Sequence, residues 1–452
     1  MENLRKKAIL GTVIHSPARG KIEFSKNALI LISSYGKVTR LIKKTNQNYM
    51  KIVNKYKSSN SLYEISNHQF LIPGFIDLHI HAPQWPQLGK ALDVPLESWL
   101  QKYTFPLEAK YEDEKFALRV YSELVSSLLK EGTTTAVYYG TIHKKANQVL
   151  ADLCFKLGQR AIIGKVVMDN IDQCPDYYRD SSTQEALDTT SEFLNYVNTN
   201  ELNIDKRVNV AVTPRFIPSC TDEVLYGLGE LASQHSTYIQ THCSESDWEH
   251  NYVINRCGVS DTEALMNYGL LNGSTILAHA NFISESDMDL IKAQGAGIAH
   301  CPLSNYFFSD AVFPLRRALE KGLRVGFGTD ISGGPSASIL DTSRNAISAA
   351  RVLENGVDAN IARMSRGVSN SRIDFCDAFY LATKGGADVL GIPTGSFENG
   401  NYFDALLLDT EVDNARISLQ NDIDDEQDIT QKIIMLATRA NIVKTWVAGS
   451  VV

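Results

Sequence analysis

The sequence predicts an α/β protein: a TIM-like (β/α)8 barrel with a small β-sandwich domain formed by the N- and C-terminal segments. From about residue 75, eight apolar runs of strand length alternate with amphipathic segments of helix length, the pattern of a closed parallel barrel. Both ends of the chain carry short β-prone runs of similar composition instead. We therefore expect residues 1–72 plus 391–452 to form the sandwich and residues 73–390 to form the barrel.

Composition excludes several classes of protein. The 452-residue chain has a net charge of −8 and no basic block that would favour nucleic acid or an anionic membrane. It lacks a stretch of about 18 apolar residues, so no membrane span is expected. The seven cysteines are scattered without a CxxC pair, which argues against a disulfide framework or a thiolate zinc site. The first residues lack the pattern of a secretory signal, so a cytoplasmic location is expected.

The individual elements follow from the same periodicities. The β-prone runs between Ala8 and Leu71 predict a small antiparallel sheet without helices. The predicted barrel strands are residues 75–81, 133–140, 161–169, 208–216, 236–245, 274–282, 295–302 and 324–330. Helices are predicted at residues 113–131, 184–198, 222–234 and 285–294, with Thr183 and Thr221 as N-caps. Two more helices, at 338–355 and 375–390, precede β-like runs at 401–409 and 442–452, and residues 409–428 are predicted to form a solvated loop.

Two histidines end the first predicted barrel strand. His79 and His81 are two residues apart, so on a strand their imidazoles share a face and can approach one ion. The carboxyl ends of later strands supply His242, His279 and Asp330. Because these ends meet at one rim of a barrel, the nitrogen and oxygen donors predict a site for Zn²⁺ or another borderline divalent ion.

A carboxylate near such an ion has a second use. An ion of this kind activates water, and hydrolysis also needs a proton carrier, typically worth about 10²–10⁴ in rate. Glu245, three residues after His242, is the candidate. Asp330 could bind the ion directly or accept the proton of the water, and both roles stay open.

The barrel segment resembles the amidohydrolase superfamily, metal-dependent hydrolases with a distorted (β/α)8 barrel. The resemblance rests on the ordered phrases PGFIDLHIHAP, THCSE, LAH, HCPLSN and GFGTDISGG, and it extends from about Leu71 to Asp341 with support at SFENGNYFDALLLD. It implies Glu245 and Asp330 as catalytic residues, with Glu245 as the proton shuttle. It also implies a homodimer, with one Zn²⁺ per subunit held by His79, His81, His242, His279 and Asp330.

Within that superfamily, the chain is similar to the enzymes that deaminate guanine. The similarity lies in HIHAPQWPQLG, TPRF and SNYFF. It implies a small-molecule substrate, guanine, converted by water to xanthine and ammonia in purine catabolism. The substrate-binding positions that it implies are Gln84, Arg215, Phe216, His242, Glu245 and Asp330.

The chemistry of a bound base agrees with three of these positions. Arg215 has only donors and suits O6 or N7 of guanine, whereas Gln84 can donate and accept along the amide edge. Phe216 could stack on the ring or belong to the barrel core. Donors aimed at an oxo group stay unpaired with adenine, and such sites can discriminate by about 10⁴ or more.

Four further features bear on the number of metal ions, on the residues outside the site, on the cover of the pocket and on the identity of the metal. Lys165 lies within the third strand and VAVTPRF of the fourth has no lysine, which favours one metal ion over two. His300 and Cys301 are assigned to packing rather than to metal binding. The segment Trp85–Leu107 could cover the pocket. Zinc and iron both suit the ligands.

Two rival functions stay open at this point. The first is a related amidohydrolase that acts on another ring, such as a triazine. The second is a barrel that has lost catalysis and serves as a scaffold. The terminal Ser450-Val451-Val452 fits the S-x-V pattern that PDZ-type grooves bind by strand addition, or it finishes a strand.

Overall fold

The computed structural model describes residues 3–420 and 422–452. Its strands are β1 (Ala8–Ala18), β2 (Lys21–Ile32), β3 (Val38–Ile42), β4 (Leu62–Glu64), β5 (Gln69–Pro73), β6 (Phe75–His81), β7 (Thr133–Tyr139), β8 (Arg160–Gly164), β9 (Val166–Val167), β10 (Val208–Pro214), β11 (Tyr238–Cys243), β12 (Thr275–His279), β13 (Gly297–His300), β14 (Arg324–Phe327), β15 (Ala405–Asp409), β16 (Ile442–Val447) and β17 (Ser450–Val451).

The α-helices are α1 (Tyr49–Ser58), α2 (Leu96–Trp99), α3 (Phe105–Glu108), α4 (Glu114–Lys130), α5 (Lys144–Leu157), α6 (Thr183–Thr199), α7 (Asp222–His235), α8 (Asp247–Cys257), α9 (Asp261–Asn267), α10 (Glu285–Gln294), α11 (Pro302–Ser304), α12 (Leu315–Lys321), α13 (Ile339–Asn355), α14 (Arg363–Arg366), α15 (Phe375–Tyr380), α16 (Gly386–Leu390) and α17 (Glu426–Leu436). Short 3₁₀ and π turns join some of them, including Ala82–Gln87 after β6 and Asn305–Ser309 after α11. No helix in the described part of the chain is both long and apolar enough to span a bilayer.

The barrel is confirmed. Its strands follow the order β14-β13-β12-β11-β10-β8-β7-β6, with parallel pairing, and each of the eight predicted runs overlaps one of them. The third run divides into β8 and the short β9, which pairs with β10. At the seam, the backbone N–H of Asp330 donates to the carbonyl of His79 at 2.8 Å, and that of His81 donates to Ile331 at 2.9 Å. The loop that carries Asp330 is thereby fixed to the strand that carries two histidines.

Close packing around β14 requires a glycine. A Cβ on Gly326 of β14 would lie 2.8 Å from Cα of Gly386 in α16 and 2.6 Å from Cδ1 of Leu78 on β6, closer than non-bonded carbon atoms can approach. Every residue of β6 is buried, as expected for a parallel strand covered by helices on one side and by barrel side chains on the other. The core of the barrel therefore extends to the rim where β6 ends.

The two chain termini build one accessory unit, as predicted. Its eight strands lie in a single mixed sheet ordered β17-β16-β15-β5-β1-β2-β3, with β4 paired to β1. The expectation of purely antiparallel pairing is wrong, because β1 pairs in parallel with both β4 and β5. Helix α1 was also not expected. Its segment does carry the helical signal, because Tyr49, Ile52, Val53 and Tyr56 are spaced to share one face and pack in one apolar cluster, so the helix was predictable and was overlooked.

One predicted helix cap is shifted by a residue. Thr221 caps α7, since its side chain accepts from the N–H of Val224. The cap of α6 is Ser182 rather than Thr183, which is the first helical residue and donates to Asp169 instead. When two adjacent residues both carry a hydroxyl group, the sequence does not show which of them is the N-cap. The predicted loop at 409–428 gives way to α17 at Glu426.

Candidate functional site

Four predicted metal ligands meet where the barrel strands end. His79 and His81 close β6, His242 comes from β11, and Asp330 follows β14. Their ligand atoms lie within 4.8 Å of one another. The Nε2 atoms of His81 and His242 are 3.1 Å apart, and Oδ1 of Asp330 is 3.1 Å from Nε2 of His79.

His279, at the end of β12, completes the predicted ligand set. Its Nε2 is 3.9 Å from Oδ2 of Asp330, and it belongs to a second group with His242 and Glu245 whose ligand atoms also lie within 4.8 Å. The backbone φ values at the rim are positive at His279 (68°), Asp330 (48°) and Ser244 (47°). Such conformations cost free energy in residues with a side chain and concentrate at functional sites.

Two of the converging imidazole nitrogens make no hydrogen bond to a described residue, although Nε2 of His79 lies 3.1 Å from Oδ1 of Asp330. Among the described residues, Nε2 of both His79 and His279 is buried and unpartnered. In His242 and His279 the other ring nitrogen has a partner: Nδ1 of His242 lies 2.6 Å from the carbonyl of Arg215, and Nδ1 of His279 lies 3.0 Å from Oδ1 of Asn305. If the Nδ1 atoms of these two residues carry the protons, their Nε2 lone pairs face the cavity. Buried unpaired acceptors that converge on a carboxylate fit a divalent cation.

Protonation states agree with that fit. Burial lowers the pKa of His79, His81 and His242, which favours the neutral imidazole that binds metals. Burial alone would raise the pKa of Asp330, but the facing imidazoles hold it well below its ordinary value. The low pKa of Asp330 keeps its carboxylate ionised.

Asp77 supports this ligand set from behind, and the sequence analysis missed it. Its Oδ1 accepts from the N–H groups of His79 at 3.2 Å and of Thr329 at 3.0 Å, and its Oδ2 accepts from Oγ1 of Thr329 at 2.6 Å. Burial raises the pKa of Asp77 to about 7. Its place two residues before His79 on the same strand, where it shares the face of the ligands, is the signal that could have found it.

Glu245 lies beside the ligands, as predicted. Its Oε1 is 3.6 Å from Nε2 of His279, and burial raises the pKa of its carboxyl group. The side chain of Glu249 accepts from the backbone N–H of Glu245 at 2.6 Å, and Nδ2 of Asn281 donates to the backbone carbonyl of Glu245 at 2.9 Å. The backbone of Glu245 is therefore held on both sides.

The same hydrogen-bond chain continues to a predicted ligand. Oδ1 of Asn281 accepts from Nδ2 of Asn305 at 2.7 Å, and Asn305 contacts Nδ1 of His279. Glu245 and His279 are thus connected through two amides, which we call the Asn281–Asn305 chain. Sequence reasoning missed both residues, although Asn305 ends the phrase HCPLSN.

The predicted base-reading residues Gln84 and Arg215 line the same cavity and meet on a residue that was not predicted. The carboxylate of Glu108 accepts from Nη1 of Arg215 at 2.7 Å, from Nη2 at 3.2 Å and from Nε2 of Gln84 at 2.9 Å. The N–H of Ser332 donates to Oε1 of Gln84 at 3.1 Å. Glu108 has no local sequence signal, since it lies in a four-residue helix, and its partners are 24 and 107 residues away.

Phe216 lies in the cavity wall, edge-on to His242 with ring centroids 6.2 Å apart and next to Trp248 at 5.8 Å. Both of its predicted roles, stacking on a base and packing in the core, are compatible with this position. The segment Trp85–Leu107 contributes its middle part to the wall. That part consists of Leu96, Trp99 and Leu100, which face Phe308.

Three residues that were not predicted to bind a metal ion lie outside the two groups of candidate ligands. The His300 ring packs against Phe313 at 5.2 Å, and burial lowers its pKa to about 3. Cys301 is buried. Nζ of Lys165 is paired with Asp180 at 2.6 Å, so within the described structure it bridges no metal ligands.

Comparison with known proteins agrees with this geometry. A profile of the Amidohydrolase family matches residues 70–452. The guanine deaminase of Dictyostelium discoideum is 38% identical over 98% of this chain and 97% of its own length. That of Mus musculus is 35% identical over 97% of this chain and 95% of its own length.

A solved structure extends the likeness to the fold. The crystal structure of guanine deaminase from C. acetobutylicum with bound guanine in the active site superposes with a TM-score of 0.87 at 30% identity, covering 99% of each chain. The chain therefore belongs to the amidohydrolase family and, within it, to the guanine deaminases.

Proposed function

We propose that this protein hydrolyses guanine to xanthine and ammonia, as a step of purine catabolism. The observation that carries the proposal is the meeting of two groups in one cavity: a cluster of histidines with an aspartate, and a Gln84–Arg215 pair held by Glu108. The first group suits hydrolysis, and the second offers donors and an acceptor to an oxo-purine. The full-length identity to guanine deaminases supports the same substrate.

In this proposal one Zn²⁺ is held by His79, His81, His242, His279 and Asp330. The nitrogen and oxygen donor set fits zinc, and the neutral imidazoles fit any borderline divalent ion. Such an ion supplies activated water, because it lowers the pKa of water from about 15.7 to roughly 7.

Two buried carboxyl groups divide the proton transfers. Asp330 is ionised, because the imidazoles hold its pKa low, so it accepts the proton of the attacking water. Glu245 has a raised pKa and can keep a proton, which it delivers to a ring nitrogen of guanine as water adds at C2. Asp330 then passes its proton to the exocyclic amine as the bond between that amine and C2 breaks, and the C2 hydroxyl returns its proton to Glu245 as the C2=O bond forms. Two neighbouring carboxyls whose pKa values diverge commonly divide acid and base roles in this way.

The base is oriented by the opposite side of the cavity. Arg215 keeps donors free beyond those given to Glu108, and these suit O6 or N7. Gln84 can accept at Oε1 and donate its second Nε2 hydrogen along the amide edge. Phe216 covers a ring face. His242, Glu245 and Asp330 lie within reach of the reacting end.

Incubation of the metal-loaded protein with guanine tests the proposal. We expect loss of the guanine absorbance with equal production of xanthine and ammonia, and no product from adenine. Absence of turnover with metal bound would contradict it. Turnover of a triazine or another amino-heterocycle instead would favour the related hydrolase, and absence of both metal and turnover would favour the scaffold.

The predicted homodimer and cytoplasmic location stay predictions. Of the two interpretations of Ser450-Val451-Val452, the pairing favours the end of a strand over binding to a PDZ-type groove. Strand β17 pairs with β16, and the N–H of Val452 donates to the carbonyl of Thr445 at 3.1 Å. The tail would have to leave the sheet to add to another one.

A further inference from the structure

Glu108 is a buried carboxylate whose place in the reaction is not explained by packing alone. It has no exposed surface, and it lies behind Gln84 and Arg215 rather than in the cavity wall. Its two oxygens take three hydrogen bonds from these two side chains. A buried carboxylate with this arrangement determines what its two neighbours can offer to a ligand.

The first consequence concerns the charge of Arg215. A guanidinium stays protonated in proteins and has five N–H donors. Glu108 takes one from each terminal nitrogen in a fork-to-fork pair, and Sδ of Met168 takes the other Nη1 donor at 3.7 Å. The ring of Phe105 covers the group with its centroid 5.2 Å from the guanidinium carbon. The N–H of Nε and one N–H of Nη2 have no partner among the described residues. Arg215 therefore faces the cavity with free donors, while its positive charge is compensated from behind.

The second consequence concerns the orientation of Gln84. An ionised carboxylate only accepts, so the Nε2 of Gln84 must face Glu108. The N–H of Ser332 only donates, so Oε1 must face Ser332. The amide cannot turn over without breaking both bonds. Glu108 thus also fixes which edge of Gln84 accepts and which donates.

Other groups around the carboxylate do not alter this charge balance. Burial raises the pKa of the neighbouring hydroxyl and thiol groups, so they stay uncharged at neutral pH; these are Tyr111, Tyr121, Tyr178 and Cys174. Glu108 and Arg215 carry opposite charges and compensate each other at this side of the cavity.

We propose that Glu108 is a specificity-determining residue that restricts the cavity to uncharged oxo-purines. An anionic purine gains no net ion pair from a compensated arginine, whereas a neutral lactam still meets the free donors and the fixed amide. The inference rests on the proposed function, and it adds a reason for product release. Xanthine is a stronger acid than guanine, so the product can lose a proton that the substrate keeps, and the anion is held more weakly.

The test is the isosteric substitution Glu108→Gln, which removes the compensating charge and keeps the volume. Binding of xanthine and of hypoxanthine to the metal-loaded protein is measured by calorimetry, below and above the first acid dissociation of xanthine, at pH values where hypoxanthine stays neutral. Taking the ratio of the xanthine affinity to the hypoxanthine affinity removes the effect of protein groups that titrate over this pH range, because they affect the binding of both purines. In the wild type, we expect xanthine to weaken relative to hypoxanthine as it becomes anionic.

In Glu108→Gln we expect the opposite trend, with the anion gaining at least about tenfold relative to its wild-type ratio, because Arg215 is then uncompensated. Glu108→Asp is the matched control: it keeps the charge and should keep the wild-type trend, although its KM for guanine rises. An unchanged ratio in Glu108→Gln, or an equal shift in Glu108→Asp, overturns the proposal.

The wild type alone also decides the matter if Glu108→Gln does not fold. Tighter binding of anionic than of neutral xanthine by the wild type overturns the proposal, and weaker binding supports it. Turnover of guanine is measured in parallel. A wild type that binds both purines with the expected trend but turns over no guanine contradicts the proposed function and leaves the role of Glu108 standing.

Discussion

The two sides of the cavity differ in how well their polar atoms are satisfied. On the side of the predicted ligands, Nε2 of His79 and His279 has no hydrogen-bond partner among the described residues. On the opposite side, Gln84 and Arg215 are tied to Glu108, and Ser332 completes the amide. We call these the metal side and the reading side.

The difference shows which half of the site is complete in the folded chain. Buried polar groups without partners cost free energy, so the metal side gains stability from a cation that the chain itself does not supply. The reading side is held in place by Glu108 and Ser332 before any base arrives, and it therefore presents its remaining donors and acceptors in fixed positions. Substitutions on the metal side should affect the chemical step, and those on the reading side should affect binding and choice of the base.

The largest effect is expected on the metal side, from His79→Ala. Loss of a ligand at the centre of the cluster should release the ion and lower kcat by at least about 10³-fold, since water is no longer activated. Metal content by mass spectrometry and kcat are measured together. His68→Ala, at a partly exposed histidine paired with Asp409, is the control and should change neither. Retention of both metal and activity in His79→Ala would remove it from the ligand set.

Glu245→Gln should separate proton transfer from metal binding. We expect kcat to fall by about 10²–10⁴-fold with metal content unchanged, because the amide cannot deliver a proton. Glu285→Gln, a substitution of a half-exposed glutamate on α10, is the matched control. Loss of metal in Glu245→Gln would mean that this carboxylate is a ligand rather than the proton carrier.

The reading side is tested by Arg215→Lys. The charge is kept, but the fork that matches Glu108 and the fixed donors are lost. We expect KM for guanine to rise about 10–100-fold with a smaller change in kcat and with full metal content. A large fall in kcat at constant KM would contradict the division between the two sides.

The metal side was more accessible to sequence reasoning than the reading side. His79, His81, His242, His279 and Asp330 were predictable because each lies near or just beyond the carboxyl end of a strand, and these ends converge in a barrel. Glu108 was not, because it lies in a short helix and its role is visible only once segments far apart in the chain meet.

The fold shows a similar division. The eight barrel strands were predictable because each is a continuous apolar run. The parallel pairing of β1 with β5 was not, because strand direction depends on which distant segments meet in the sheet. The helix α1 was overlooked although its apolar residues have helical spacing. The Asn281–Asn305 chain was missed for another reason: amides give no pattern that separates a positioning role from a loop position.

A smaller effect is expected from Asn281→Ala, which interrupts the Asn281–Asn305 chain between Glu245 and His279. We expect kcat to fall about 10-fold and metal affinity to weaken by about 10–100-fold, as for other groups that orient metal ligands. Asn251→Ala on α8, where the side chain is exposed and donates only to the carbonyl of Asp247, is the control. Unchanged kcat and metal affinity would show that the Asn281–Asn305 chain does not orient Glu245 or His279 for the reaction.

The smallest effect concerns stability against pH, and it again distinguishes the two sides. Burial holds the pKa of His79, His81 and His242 in the folded protein below the ordinary value of 6.5, so the unfolded chain binds more protons as the pH falls through that value. The metal-free protein should therefore lose stability on acidification, by about 1.4 kcal/mol per pH unit for each additional proton bound on unfolding. His15, with its pKa lowered to about 4, and His300, lowered to about 3, add to the same slope, so a ligand variant is needed to separate the metal side from them. Urea unfolding of the metal-free wild type and of metal-free His242→Ala, at a pH just above 6.5 and at one just below it, should give a shallower pH slope in the variant, because one buried neutral imidazole is removed while His15 and His300 remain. Equal slopes in the two proteins would mean that His242 binds protons equally in the folded and unfolded states, and the contrast with the reading side, which has no histidine of its own, would then fail.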